Sequence, residues 1–163
     1  MARQPVQYDL SDYQDDGTLR VSPLIVVITL FLGRHLLFIF MGGVSTFKGA
    51  KTSGLEGLYS DPLLLLASAP ALLVLLAMLR RVATAGALPR AIWRSGRLLL
   101  CLAAALDAAL TLFLAEFRLD RISALHVAVL IGDAYVLAYL SRSERARDTF
   151  ADFPAARSEE GRG

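Results

Sequence analysis

The sequence predicts an all-α membrane protein: an integral bundle of four transmembrane helices with both termini in the cytoplasm. Apolar residues make up 55% of the 163-residue chain and charged residues only 20%, a balance that is unusual for a soluble domain. Four apolar runs are long enough, or nearly long enough, to cross a bilayer. Lysine and arginine collect in alternate segments between these runs, as they do in multi-pass proteins.

The chain divides into three parts. A cytoplasmic N-terminal segment is expected over residues 1–23, a four-helix transmembrane domain over 24–140, and a charged cytoplasmic tail over 141–163. The expected spans are, in order, about 24–41, 63–79, 98–115 and 122–140. The N-terminal segment is acidic where a signal peptide would be basic, so the first span is expected to be retained.

The first two spans open on helix-start signals. Ser22 stands before Pro23, and Asp61 stands before Pro62, which places a capping residue ahead of a proline at the first helical position. Gly42 is expected to end the first span.

The remaining elements follow from local composition. Pro70 at the middle of the second span predicts a packing kink. The arginine-rich linker 80–97 contains Trp93 and is typical of an interfacial turn with an aromatic anchor. The third span is rich in alanine, and the fourth carries several polar residues. The tail sequence 150–154 is expected to be exposed, like the acidic residues near the N-terminus.

Charge asymmetry sets the orientation. Twelve Lys and Arg residues lie in the N-terminal segment, the second linker and the tail, against four in the first and third loops. Positive residues favour the cytoplasmic side, so both termini are expected inside.

Ionisable residues within the spans define a candidate polar core. Arg34 near the middle of the first span costs roughly 3 kcal/mol in hydrocarbon unless it finds a partner. Depth can be counted from the cytoplasmic end of each span at a helical rise of about 1.5 Å per residue. On this count Arg34 lies about 15 Å deep, Asp107 about 14 Å and Asp133 about 11 Å. One cation and two carboxylates can therefore meet. Ionising both carboxylates at once would be costly in a medium of low dielectric, so one of the two is expected to hold or share a proton.

Three further polar residues are secondary candidates. Thr111 shares a helix face with Asp107, and His126 shares one with Asp133. His35 is adjacent to Arg34 and should point about 100° away from it, toward another neighbour. A haem between the two histidines is one alternative. We expect no metal site and no cofactor, because no other ligand spacing is present and Arg34 would place a cation beside the metal.

Two functional classes stay open. The first is a non-enzymatic accessory or assembly component whose exposed termini recruit a membrane-protein partner or a second copy. The second is a small transporter or proton-coupled component that uses the polar core. We expect no enzyme, because no catalytic motif occurs, and no nucleic-acid binding, because the net charge is only +2. Membrane lipid is the expected surrounding.

Several short motifs recur in one family. They are Tyr13, Gly17-Thr18-Leu19, Pro23, Arg34, Tyr59-Ser60-Asp61 and Phe150-Ala151-Asp152-Phe153-Pro154. In these the chain resembles the YfeZ-like bacterial inner-membrane proteins, a domain of unknown function, over roughly residues 8 to 154. The resemblance implies a four-span inner-membrane protein and no particular activity. It also leads us to expect an aromatic residue where His35 stands and proline in place of Ser60.

Overall fold

The structure is a computed structural model that describes residues 8–14, 17–47, 62–116 and 124–154. These residues form seven α-helices and, within the described ranges, no strand. The helices are α1 (Pro23–Leu32), α2 (Arg34–Phe47), α3 (Pro62–Leu79), α4 (Ala87–Arg94), α5 (Gly96–Leu114), α6 (Ala124–Arg142) and α7 (Glu144–Ala151). The all-α class is confirmed for this part of the chain.

Two helices, α5 and α6, are long and apolar enough to cross a membrane. Helices α1 and α2 meet the same requirement together, but they are bent by 67°, so they make a third span only if the bent pair crosses as one. The apolar stretch of α3, Leu63–Leu79, is shorter. The described helices therefore provide two or three candidate spans, and the count of four stays a prediction.

The helix-start signals were read correctly. Helix α1 begins at Pro23 with Ser22 at its N-cap, and α3 begins at Pro62, whereas Asp61 lies outside the described residues. The Ser22 side chain makes no capping hydrogen bond, so the fixed backbone angle of proline favours this helix start. Pro70 is accommodated inside α3, which continues through it.

The first apolar run is not one continuous helix, and the expected helix end at Gly42 is wrong. The helix breaks at Gly33 and then continues past Gly42 to Phe47. Glycine is a poor helix former, by about 1 kcal/mol relative to alanine, which makes Gly33 the weakest point of the run. Backbone carbonyls freed in an apolar setting need new donors. Two side chains supply them: Arg34 donates to the Phe31 carbonyl at 3.0 Å and Ser68 to the Leu32 carbonyl at 2.8 Å.

Helices α3 and α5 form the centre of the bundle. Helix α1 packs against both, α2 packs against α1 and α3, and α6 packs against α5. Small residues lie in the buried face between the two central helices and let their backbones approach closely. These are Ala67, Ala71 and Ala77 in α3 and Ala103 and Ala104 in α5.

A second packed region, the terminal cap, covers the end of the bundle at which α3 ends and α5 begins. It consists of residues 8–14 and 17–22, helix α4, helix α7 and residues 152–154. At its centre the rings of Trp93 and Phe150 lie 4.9 Å apart, and both side chains are buried. The Trp93 indole N–H lies 3.0 Å from the carbonyl oxygens of both Thr149 and Asp152.

Two expectations about these segments are therefore wrong. Trp93 is not an interfacial anchor, because it is fully buried and its only polar atom is bonded inside the cap. Phe150 is only 2% exposed, and Pro154 is buried, so residues 150–154 do not form an exposed recruiting motif. Phe150 packs against Trp93 of α4 and lies beside Gly96 of α5, and the Phe153 ring lies under the Arg90 guanidinium of α4.

The N-terminal segment is fastened to α7 by side-chain bonds. Tyr8 donates its hydroxyl hydrogen to Asp148 at 2.8 Å, and Arg145 pairs with Asp12 at 2.6 Å. Burial, together with the hydrogen bond to the Asp148 carboxylate, raises the pKa of Tyr8 to about 12. The neutral phenol is therefore the form that the folded cap favours.

Backbone groups complete the junction between the two termini. The Leu19 amide donates to the Asp152 carboxylate at 2.7 Å. Arg81 donates to the carbonyls of Leu19 and Asp152, at 3.0 and 3.3 Å. The cap thus joins residues more than a hundred positions apart, which the sequence pattern does not indicate.

Candidate functional site

An ion pair between α2 and α5 lies at the centre of the candidate site. Arg34 Nη2 pairs with Asp107 Oδ2, and His35 Nε2 lies 2.8 Å from Asp107 Oδ1. A carboxylate accepts hydrogen bonds only, so His35 carries its proton on Nε2 when it donates to Asp107. The Asp107 side chain is 2% exposed and both of its oxygens are bonded.

The break at Gly33 explains why two adjacent residues reach one carboxylate. In a straight helix Arg34 and His35 would point about 100° apart. Here Arg34 is the first residue of α2 and its side chain crosses the bend, whereas His35 follows the new helix axis. The expected contact between Arg34 and Asp107 is present. The expectation that His35 points toward a different neighbour is wrong.

Phe31 holds the guanidinium in position. Its carbonyl accepts from Arg34 Nη1 at 3.0 Å, and its ring lies 4.6 Å below the guanidinium carbon, within cation–π range. Across from it, the absence of a side chain at Gly132 makes room for the ring, since a Cβ there would lie 2.7 Å from Phe31 Cζ. The cation is therefore fixed by α1, α2 and α5 together.

Asp133 lies in α6 and is fully buried. It interacts electrostatically with Asp107 and with Arg34, so the three charges expected to meet are brought into one region. Neither of its oxygens has a hydrogen-bond partner among the described residues. The two acids are thus unequal: Asp107 holds both basic side chains, whereas Asp133 has a charged neighbourhood but no donor.

Ser68 belongs to the site and was missed as a functional position. Its hydroxyl donates to the Leu32 carbonyl at 2.8 Å and so stabilises the bend that aims Arg34 and His35 at Asp107. Ser68 is fully buried, and its partner, the Leu32 carbonyl, lies 36 positions away along the chain. No local sequence pattern indicates such a distant partner. Gly33 was a readable signal, since it stands directly before Arg34 in an apolar run.

A cavity of about 500 Å³ adjoins the ion pair. It lies between α2, α3, α5 and α6, toward the end of the bundle opposite the terminal cap. Three secondary candidates line it together with Arg34: His35, Thr111 and His126. Its other walls are apolar side chains: Phe31, Phe38, Leu64, Leu114, Ala115, Leu125 and Val129. Four of the six polar residues singled out from the sequence therefore line one cavity, whereas Asp107 and Asp133 are not among its lining residues.

The haem alternative meets an obstacle at His35. Its Nε2 atom is engaged by Asp107, so that nitrogen does not face a metal shared with His126. Within the described ranges, no three His, Cys, Asp or Glu side chains are grouped so that they could hold a metal ion.

Fold and site together define a class: an all-helical protein with two or three helices able to cross a membrane and a buried ion pair between them. Residues 8–152 match the model of the family described as protein of unknown function (DUF2919), and the chain belongs to that family. Neither a curated protein nor a solved structure matches the chain. Membership transfers no activity to the site.

Proposed function

We propose that the protein is a non-enzymatic component of the bacterial inner membrane whose polar core binds and releases a proton. The single observation that carries this proposal is Asp133, which is fully buried with no hydrogen-bond partner among the described residues and lies beside the paired Asp107. A proton-coupled step of a small carrier is the activity that this arrangement serves best.

Charge balance explains the proton. Asp107 neutralises Arg34, so an ionised Asp133 would add an uncompensated negative charge in a medium of low dielectric. A proton bound to Asp133 removes that charge. His35 is the remaining titratable group that faces Asp107, and it lines the cavity with His126. The cavity reaches Arg34 and His35, and we propose that a proton passes from there to the carboxyl pair.

The membrane arrangement forms part of the proposal. We propose four spans, with the bent pair α1–α2 as the first and α3 as the second, and with both termini and the terminal cap in the cytoplasm. The bias of twelve basic residues to four supports this orientation. The family is proposed to include the YfeZ-like inner-membrane proteins. Reporter fusions at residues 82–86 and after residue 154 should both report inside, and an outside signal at either position would reject the topology.

Infrared spectroscopy of the protein in lipid nanodiscs tests the proton site. We expect a carboxylic acid C=O band at neutral pH that is absent in Asp133→Asn and that titrates as pH is raised. Asp152→Asn in the terminal cap is the matched control and should leave the band in place. A band that is missing in the wild type, or that persists in Asp133→Asn, would reject the assignment. A band that never titrates would mean a permanently neutral, structural acid.

An accessory or assembly role is the second candidate, and the exposure of α6 favours it. Only 17% of the apolar stretch of α6 is buried against the rest of the described protein, and the helix packs mainly against α5. Its open face can meet lipid, another membrane protein or a second copy. Co-purification from mild detergent distinguishes these, because a stoichiometric partner that is lost on Ile131→Arg supports the assembly role. A monomer without partners would reject it.

A further inference from the structure

We propose that the cavity beside Arg34 binds an amphipathic molecule with one anionic head and one apolar chain, of the kind represented by a fatty acid. This goes beyond proton binding and does not depend on it. The cavity volume of about 500 Å³ is within the usual range for sites that hold small organic ligands.

The ionisable side chains that line the cavity are all basic, and Arg34 is the one that always carries a charge. The ionisable lining residues are Arg34, His35 and His126, and neither Asp nor Glu occurs among the described residues that line the cavity. Asp107 acts from behind this surface, where it holds Arg34 and His35 in place. Because Asp107 already balances Arg34, the complementary head is one that accepts the remaining hydrogen bonds of Arg34; a carboxylate head also needs a protonated histidine of the lining to balance its charge, and a cationic head is disfavoured.

Arg34 keeps donors for such a head. A guanidinium has five N–H donors in a planar fork. Among the described residues, the bonds to Phe31 and Asp107 account for one hydrogen on Nη1 and one on Nη2. The side chain is 12% exposed, and it lines the cavity. Because its position is fixed before a ligand arrives, the entropic cost of ordering it at binding is small.

Three of the four polar lining residues lie at the level of the ion pair: Arg34, His35 and Thr111. The fourth, His126, lies beside Leu125 near the start of α6, and Phe38 and Leu114 lie about one turn beyond the ion pair. A carboxyl head would therefore sit against Arg34, with its chain along the apolar side chains that lie beyond it. A single cavity with one charged wall at Arg34 matches a single-chain molecule better than a two-chain phospholipid.

The test measures binding of labelled oleate to the whole protein in phosphatidylcholine nanodiscs. Oleyl alcohol, which has the same chain and no charge, is the matched ligand. Val129→Phe places a larger side chain in the cavity, and Val127→Phe makes the same change on the exposed side of the same helix. His126→Gln removes a basic lining residue that makes no part of the ion pair.

We expect oleate to bind at one site and more tightly than oleyl alcohol by about tenfold, which corresponds to ~1.4 kcal/mol. Val129→Phe should weaken oleate binding by a similar factor and Val127→Phe should not. His126→Gln should weaken oleate while leaving oleyl alcohol unchanged. Equal affinity for acid and alcohol, or equal effects of the two phenylalanine variants, would overturn the proposal.

Two further arms separate the alternatives. Phosphatidylglycerol in the nanodisc should compete poorly with oleate; competition at equal strength would assign the site to a bilayer lipid head and reject the single-chain ligand. Val129→Phe should keep the carboxylic acid band of Asp133. Loss of oleate binding with the band intact therefore supports the cavity site alone. A missing band with normal oleate binding rejects only the proton site.

Discussion

Asp107 and Asp133 should respond very differently to the same substitution. Asn replaces Asp at nearly constant volume, so each change removes one charge without opening a cavity. Asp107→Asn removes the carboxylate that is paired with Arg34 and weakens the bond from His35. Removing one partner of a buried ion pair costs about 3–5 kcal/mol, because the other charge is left uncompensated.

Asp133→Asn loses no hydrogen bond that the described residues make. If its acid is already neutral, the variant should change the free energy of unfolding by less than about 1 kcal/mol. Unfolding in mixed micelles by titration with denaturing detergent measures both variants under one condition. The double variant Arg34→Leu with Asp107→Leu is the comparison for Asp107→Asn. It should be more stable than Asp107→Asn, because removing a whole buried ion pair is often neutral or even stabilising.

Equal losses for the two asparagine variants would refute this reasoning. They would mean that Asp133, like Asp107, compensates a charge in the folded protein. A double Leu variant as unstable as Asp107→Asn would also contradict it, since the cost would then come from lost packing and not from the unpaired guanidinium. A small effect of Asp107→Asn would show that Arg34 is compensated elsewhere.

Three further outcomes follow from the contacts. Ser68→Ala should cost about 1–3 kcal/mol of unfolding free energy, because a buried carbonyl at the bend loses its donor, whereas Ser141→Ala on an exposed surface should cost much less. Gly96→Ala should destabilise by about 1–3 kcal/mol, since its Cβ would lie 2.5 Å from the Phe150 ring, and Phe150→Leu should relieve most of that loss. The raised pKa of Tyr8, about 12, predicts cap stability that is full below pH 10 and lost as pH rises to 12, an effect absent in Tyr8→Phe and measured by alkaline unfolding.

Each of these outcomes has a clear contradiction. Equal effects of the two serine variants would show that the bend does not depend on Ser68. Additive losses for Gly96→Ala and Phe150→Leu in a double-mutant cycle would show that the two residues do not meet. The same alkaline unfolding profile for wild type and Tyr8→Phe would show that the phenol is not bonded in the cap.

Local sequence signals were sufficient for the starts of α1 and α3 and for the common depth of Arg34 and Asp107, but not for α4, which lies in the linker that was expected to be a turn. Proline after a capping residue marked the starts of α1 and α3, because the fixed backbone angle of proline acts within one turn. The helical rise placed Arg34 and Asp107 at one level, and the two residues do pair. Helical rise is a property of the local backbone, so counting residues along each apolar run was enough.

Only the tertiary structure decided how those helices meet. The bend at Gly33 depends on a donor from Ser68, 36 positions from the carbonyl that it serves. Trp93 and Phe150 were taken for exposed residues, yet they pack against each other in the cap. Hydropathy and periodicity report which faces avoid water but not which distant segment covers them. The sequence by itself determined the helical class, two helix starts and the common level of Arg34 and Asp107, whereas long-range hydrogen bonds and packing determined the bend, the cap and the unequal roles of the two acids.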